Sequence, residues 1–325
     1  MMYCLFNVFW LYLKTKYQKF IINHFVALVV KKLKAIWELM RLEHGVMIFI
    51  AILIGSIIAL GGSALPKLDK FILTFFTALF LEASTFALND YYDLDIDKKN
   101  NRTDRPLVRG DLKPKTALIL FYMFFPLGII SSYFVNLTCF IIAIITAFLA
   151  IFYDMWMKKI KLIGNFYIAY VMAIPFVFGG AAVLQGNMLS FNISPAIFII
   201  AIIAFLAGSG REIMKDVQDY EGDRQKGVRS FPKYIGKRAS NIIAGLFFIV
   251  AVGFSLLPFL RPEYDMFYLN YAYLYPVLFC DILLLSTAIH IIIKKHPQMK
   301  IYRKVTLFAI FIGLISFLIG SIISF

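Results

Sequence analysis

Long apolar segments bounded by charged residues recur along the whole 325-residue chain, and this pattern limits what the chain can fold into. An α-helix needs about 20 consecutive apolar residues to cross the hydrocarbon core of a bilayer. Of the residues, 61% are hydrophobic and 16% are charged, whereas a soluble domain is about half apolar and about a quarter charged. Because a backbone within lipid must satisfy its own hydrogen bonds, the sequence predicts an all-α, polytopic membrane bundle.

Nine segments are long and apolar enough to be transmembrane helices. The predicted spans are residues 46–61, 71–91, 116–133, 137–155, 165–184, 194–214, 241–260, 271–293 and 305–325.

The distribution of basic residues predicts the orientation of these spans. All but three of the 33 lysines and arginines lie in five segments: 1–45, 92–115, 157–161, 211–239 and 294–304. Nine spans place all five segments on one side, and positive charge marks the cytoplasmic side. We therefore predict a multi-pass protein of the cell membrane with a cytoplasmic N-terminus and an extracellular C-terminus. This topology accounts for the net charge of +14, and no nucleic-acid partner is predicted.

The chain is predicted to have an N-terminal extension, residues 1–35, followed by one membrane domain, residues 36–325. In the extension, two short apolar stretches are each followed by lysines. Such a pattern is typical of helices that lie on the membrane surface. A poorly ordered extension is the alternative.

An acidic cluster closes the second predicted span. Asn89, Asp93 and Asp97 are spaced i, i+4, i+8 and share one face of a helix, and Asp90 aligns with Asp97 seven residues later. Carboxylates so placed repel one another unless a cation lies among them. Mg²⁺ is the leading candidate, because it takes hard oxygen ligands and is often held by carboxylates plus substrate phosphates.

A second acidic cluster follows the sixth predicted span. Asp216, Asp219 and Asp223 are spaced i, i+3, i+7 on one helical face, and Gly222 is predicted to mark the end of the helix. Two opposed carboxylate faces could hold two Mg²⁺ ions that bridge a diphosphate. The apolar bundle beneath them could enclose a hydrophobic chain. The substrate predicted is a lipid with an isoprenoid chain and a diphosphate head. The alternative for either cluster is a salt-bridge network on a solvated face.

The motifs resemble those of the UbiA-type intramembrane prenyltransferases. The resemblance extends over residues 36–325 and rests on the stretches 89–97 and 216–223, on Arg102 and Arg105, and on Tyr153 with Lys158. It implies nine transmembrane helices around a central lipid-open cavity, with Mg²⁺ held by both acidic motifs.

The resemblance also implies roles for individual residues. The catalytic set comprises the ligands of Mg²⁺ and diphosphate together with one lysine: Asn89, Asp93, Asp97, Asp219, Asp223 and Lys158. Asp90 and Asp216 are additional metal-binding carboxylates. Arg102, Arg105, Tyr153 and Lys158 are expected to hold the diphosphate or the acceptor.

The acceptor is suggested by similarity to one branch of the family. The run 211–216 and the stretch 164–166 resemble the archaeal branch, which transfers a geranylgeranyl group from geranylgeranyl diphosphate to geranylgeranylglyceryl phosphate to build ether lipids. The cationic candidates to bind the acceptor phosphate are Arg41, Lys158, Lys159 and Arg211. Glu82, seven residues before Asn89, is expected to bind the acceptor or to take up its proton.

Two alternatives stay open from the sequence. The acceptor could be an aromatic ring, as in quinone, haem or chlorophyll-type synthesis. In a different class, a polytopic bundle with acidic residues also describes transporters, although carriers place their sites near the middle of the membrane. Here nearly all the acidic residues lie at the ends of predicted spans.

Overall fold

The computed structural model describes residues 24–62, 64–99, 101–184, 193–225, 227–295 and 297–323. Residues 24–40 form a helix, α1. The helices that follow are α2 (Gly45–Ala59), α3 (Leu68–Lys99), α4 (Pro106–Arg109), α5 (Pro114–Val135), α6 (Leu137–Met155), α7 (Lys161–Ala182), α8 (Pro195–Gln225), α9 (Phe231–Ser255), α10 (Leu257–Leu260), α11 (Tyr271–Ile293) and α12 (Met299–Ile322).

The prediction of an all-α protein with nine spans is confirmed for the described residues. Nine of their helical segments are long and apolar enough to cross a membrane. The central lipid-open cavity stays a prediction. Of the predicted extension, residues 1–23 lie outside the described residues, and the remainder belongs to α1.

The helices that carry the acidic motifs are longer than the predicted spans. Helix α3 has 32 residues and α8 has 31, so each is about 45 Å long, compared with about 30 Å for the hydrocarbon core. The predicted end at Gly222 is wrong, because α8 continues to Gln225. Both motifs therefore lie on continuous helix, and the predicted helical spacing of their carboxylates applies.

The described chain divides into two compact units, which helices α3 and α5 both enter. Unit 1 comprises Met1–Glu43 and Glu82–Phe124, and unit 2 comprises His44–Leu81 and Phe125–Phe325.

Unit 1 packs α1 and the second half of α3 around the short helix α4. Its core contains Leu39, Ala87, Leu107 and Leu120. Pro106 occupies the first turn of α4, where its missing N–H removes no helical hydrogen bond. Gly110 ends α4 in the left-handed conformation, at φ 77°.

Ion pairs tie α1 to the segment after α4. Lys31 lies 2.8 Å from Asp111, and Arg109 contacts both Glu38 and Asp111. Lys31 and Arg109 together lower the pKa of Asp111 by hydrogen bonding to its carboxylate.

Unit 2 is a bundle in which α7, α8 and α9 pack side by side, α2 packs on α7, and α11 packs on both α9 and α12. Asn270 caps the start of α11 by accepting hydrogen bonds from the backbone N–H groups of Ala272 and Tyr273. Its amide also donates to the carbonyls of Gly320 and Ile323 at the end of α12. One buried side chain thus joins the start of α11 to the end of α12.

Helices α2 and α7 meet backbone to backbone. A Cβ atom on Gly179 would lie 2.2 Å from the carbonyl oxygen of Ile52, and one on Gly55 would lie 2.0 Å from that of Phe176. Small residues permit such close approach between membrane helices. The stretch around Gly179 is therefore a packing face.

We predict that Gly179→Ala destabilises the protein by about 1–3 kcal/mol, because the new methyl group forces the two helix backbones apart. The measurement is the thermal unfolding midpoint in detergent. Gly253→Ala is the matched control, since a Cβ there meets nothing within 4 Å, and alanine is the better helix former. Equal midpoints for both variants would contradict the assignment of a packing face.

Candidate functional site

The first acidic motif lies in unit 1, on the last turns of α3. Asp90 is 2% exposed. Its Oδ1 accepts hydrogen bonds from Arg105 and from Arg41 Nη2, the latter at 3.2 Å. Its Oδ2 is buried and has no hydrogen-bond partner among the described residues. A buried carboxylate is stable only with paired charge, so these two arginines account for the position of Asp90.

Arg41 reaches Asp90 from the end of α1, where its backbone is left-handed at φ 50°. Its guanidinium lies over the ring of Phe86, 4.1 Å from the ring centroid. Burial and the neighbouring Arg105 lower the pKa of Arg41, whereas the charges of Asp90 and Glu82 act in the opposite direction. The structure thus brings together four of the predicted residues: Arg41, Glu82, Asp90 and Arg105.

Asp97 extends this cluster, since its Oδ2 lies 4.0 Å from Arg105 Nε. Asn89 and Asp93 are half-buried on the same helix. Their i, i+4 spacing places them along the face that the sequence predicts.

Arg102 lies at the edge of this cluster, where its backbone N–H donates to the carbonyl of Asp97, and its side chain pairs with Asp104. Its Nε and Nη2 donate to the two carboxylate oxygens at 2.9 and 2.8 Å. This bidentate contact lowers the pKa of Asp104 to about 2. Both side chains are exposed, so the pair contributes little to stability. Arg102 can therefore exchange Asp104 for another anion.

The second acidic motif lies in unit 2, on the last turns of α8. Asp216 is 2% exposed and accepts a hydrogen bond from Asn165 Nδ2 at 2.7 Å. Lys161 Nζ lies 3.2 Å from Asp216 Oδ1 and 2.5 Å from Asp223 Oδ2. Two carboxylates thus converge on one ammonium group, while Asp219 is half-buried one turn after Asp216.

Sequence reasoning missed Lys161 and Asn165 as site residues. Both lie at the start of α7, one helical turn apart, so they face α8 together. The signal that could have indicated them is their i, i+4 spacing, which begins at the end of the basic segment 157–161. Nothing in the sequence pairs Lys161 with Asp223, which is 62 residues away.

Tyr153 lies in the last turn of α6, and Lys158 lies in the connection between α6 and α7. The ring of Tyr153 stacks on that of Tyr167, with centroids 4.8 Å apart. Lys158 is half-buried. Arg211 lies on α8 beside Glu212, at 3.7 Å, rather than beside Asp216.

The donor set fits a hard divalent cation. It consists of carboxylates, which are the ligands that Mg²⁺ prefers. The Asp216–Asp223 pair already surrounds a cationic group, and Asp90 retains a buried oxygen without a partner. Within the described residues, however, no three Asp, Glu, His or Cys side chains lie at metal-binding spacing. The metal-ligand assignments stay predictions.

The helical bundle and its paired acidic motifs define a family. The profile of the UbiA prenyltransferase family matches residues 48–315, and the chain belongs to that family. The predicted class, an intramembrane prenyltransferase and multi-pass membrane protein, is thereby confirmed.

Named relatives agree with this membership. Digeranylgeranylglyceryl phosphate synthase of Archaeoglobus fulgidus is 43% identical over 291 residues, which cover 89% of this chain and 96% of the relative. A structure from a study of digeranylgeranylglyceryl phosphate synthase in membranes is 31% identical, with a TM-score of 0.72 over 90% of this chain and 99% of that one. A UbiA homologue from Archaeoglobus fulgidus bound to DMAPP and Mg²⁺ shares the fold, at 16% identity and a TM-score of 0.53 over 87% and 98%.

We predict that Lys161→Met destabilises the protein in EDTA by about 3 kcal/mol, because it leaves the buried Asp216 beside Asp223 without a cation. The measurement is the thermal unfolding midpoint with and without Mg²⁺. Mg²⁺ should restore part of the loss, because a divalent ion can replace the ammonium group.

The matched control is Lys237→Met. It removes an exposed ion pair between Lys237 of α9 and Glu221, which lies on α8 like Asp216. It should change the midpoint little, since exposed pairs contribute little. A Lys161 variant as stable in EDTA as this control would show that the ammonium does not neutralise the carboxylates.

Proposed function

We propose that this chain transfers a geranylgeranyl group from geranylgeranyl diphosphate to geranylgeranylglyceryl phosphate, in an Mg²⁺-dependent step of archaeal ether-lipid synthesis. The observation that carries the proposal is 43% identity, over 96% of its length, to a protein named digeranylgeranylglyceryl phosphate synthase. The two carboxylate clusters support it, because they offer the ligands that a metal-bound diphosphate needs.

In this proposal the carboxylates of both motifs hold the metal. The ligands are Asn89, Asp90, Asp93, Asp97, Asp216, Asp219 and Asp223. Bound Mg²⁺ neutralises the charge that develops on the diphosphate leaving group. The homologue bound to DMAPP and Mg²⁺ supports this cofactor.

Basic and aromatic residues orient the substrate. Arg102 holds phosphate oxygens when it releases the exposed Asp104, because a guanidinium binds phosphate bidentately. Arg105, Tyr153 and Lys158 complete the contacts to the diphosphate and the acceptor.

The chemical step replaces one C–O bond by another. The allylic C–O bond to diphosphate breaks, and the hydroxyl oxygen of geranylgeranylglyceryl phosphate bonds to the allylic carbon and loses its proton. Glu82 is the carboxylate that takes up this proton. The charge of Glu82 acts on Arg41, so this carboxylate belongs to the same cluster as Asp90 and Arg105.

The proposed orientation has the N-terminus in the cytoplasm and the C-terminus outside. Two predicted spans separate each basic segment from the next, so all five lie on one side of the membrane, and this supports the orientation. The segments are 1–45, 92–115, 157–161, 211–239 and 294–304. It exposes both acidic motifs to cytoplasmic substrate and Mg²⁺.

Replacing one metal ligand tests the mechanism. Asp93→Ala and Asp219→Ala are each expected to lower turnover by at least about a hundredfold, because the charge on the leaving group loses a preorganised partner. Mg²⁺-dependent binding of prenyl diphosphate should fall in parallel, while circular dichroism shows an intact helical fold. Asp95→Asn is the matched control, because Asp95 is exposed on the same helix. Wild-type rates in either alanine variant would refute the assignment of these two residues.

The acceptor is tested directly with labelled geranylgeranyl diphosphate and a panel of acceptors. Geranylgeranylglyceryl phosphate should yield the diether product, whereas aromatic acceptors such as a quinone precursor should yield none. Products are separated by chromatography and identified by mass. Transfer to an aromatic ring in preference to the glyceryl phosphate would overturn the proposed function.

A further inference from the structure

Helix α8 carries a second stripe of polar residues beside its carboxylates. Arg211, Lys215 and Gln218 are spaced i, i+4, i+7 and form one stripe. The stripe of Asp216, Asp219 and Asp223 is displaced from it by about a quarter turn, from the 100° step of an α-helix. The two stripes therefore point in different directions from the same part of α8.

Helix α12 adds a third cation to the basic stripe. Arg303 Nη1 donates a hydrogen bond to Gln218 Oε1 at 3.0 Å. Arg303 is also close enough to Arg211 for their charges to repel. The guanidinium groups of Arg211 on α8 and Arg303 on α12 thus lie close together. The side chain to which Arg303 donates, Gln218, is neutral.

Among the described residues, one carboxylate forms ion pairs with these cations. Glu212 is 5% exposed and lies 3.1 Å from Lys215 Nζ and 3.7 Å from Arg211 Nη1. Arg211, Lys215 and Arg303 against Glu212 leave two positive charges uncompensated. The positive charges of these half-buried side chains repel one another strongly, because the local dielectric constant is below that of water.

Arg211 also has an unused donor. Its Nε is buried and has no hydrogen-bond partner among the described residues. Buried polar groups are nearly always paired, so this donor is available to an anionic ligand. The cluster is open to a ligand, since the side chains of Arg211 and Lys215 are 19% and 40% exposed.

We propose that Arg211, Lys215 and Arg303 bind the phosphate monoester of the acceptor lipid. A phosphate monoester carries close to two negative charges at neutral pH, which matches the excess positive charge. Guanidinium groups bind phosphate oxygens bidentately and need no metal. The carboxylate stripe, in contrast, repels a bare phosphate and suits a diphosphate accompanied by Mg²⁺. This inference rests on the proposed function, because it names the group of the acceptor that the chain recognises.

The test compares two acceptors in the full-length chain reconstituted in nanodiscs of neutral lipid. One acceptor is geranylgeranylglyceryl phosphate, and the other is geranylgeranylglycerol, which lacks the phosphate. With the phosphate acceptor, Arg303→Gln should raise the acceptor KM about tenfold, since a charged hydrogen bond contributes about one power of ten in affinity. The KM for prenyl diphosphate should change less than twofold. With the alcohol acceptor, wild type and variant should have the same KM.

Arg303→Lys should recover part of the lost affinity, and Lys304→Gln is the control that removes an exposed charge one residue along α12. Thermal midpoints establish that all variants fold. An acceptor KM within twofold of wild type in Arg303→Gln overturns the inference. So does an equal rise with the alcohol acceptor, because the cluster would then serve structure alone.

Direct binding separates this inference from the proposed function. Radiolabelled geranylgeranylglyceryl phosphate is bound at equilibrium without prenyl diphosphate, with inorganic phosphate or anionic phosphatidylglycerol as competitor. Binding that needs Arg303 without any product in the transfer assay supports the site and refutes the proposed function. Product formation with binding that does not need Arg303 refutes the site alone. Full displacement of the lipid by phosphatidylglycerol would assign the cluster to membrane headgroups and overturn the inference.

Discussion

The structure depends on supplying positive charge to carboxylates that leave water. Asp90 and Asp216 are both 2% exposed, and an unpaired ion at such a depth costs several kcal/mol. Each is neutralised by a basic side chain from elsewhere in its unit. Arg41 and Arg105 approach Asp90 from α1 and from the start of α4, and Lys161 approaches Asp216 from α7. These pairs fix segments before and after α3, and the start of α7 against α8.

The division of α8 into two stripes extends this electrostatic logic to recognition. A carboxylate surface favours an anion only when a metal accompanies it, whereas an arginine surface favours the anion itself. In the proposed function, Asp216 and Arg211 therefore bind different ligands although both lie on α8. Placing both stripes on a single rigid helix keeps the distance between the two ligands fixed, which a transfer between two lipids requires.

The sequence predicted the helical framework and the spacing of the acidic residues well, because hydropathy and the 3.6-residue period are local properties. The sequence underestimated the lengths of α3 and α8, because their polar last turns carry no hydropathy signal and because Gly222 resembled a helix end. The partners of the carboxylates were largely hidden. Arg41 and Asp90 are 49 residues apart, and Lys161 and Asp223 are 62 apart. Such pairs depend on how the helices pack against one another, and a single sequence does not reveal that packing.

Asn270 satisfies polar backbone groups at two helix ends at once. In lipid, every bare backbone carbonyl or N–H at a helix end is penalised. By capping the first turn of α11 and the last carbonyls of α12 with one amide, the chain lets these helices shield each other's ends. Joined in this way, α11 and α12 present fewer unpaired polar groups to lipid than either helix would alone, which favours their packing as a hairpin.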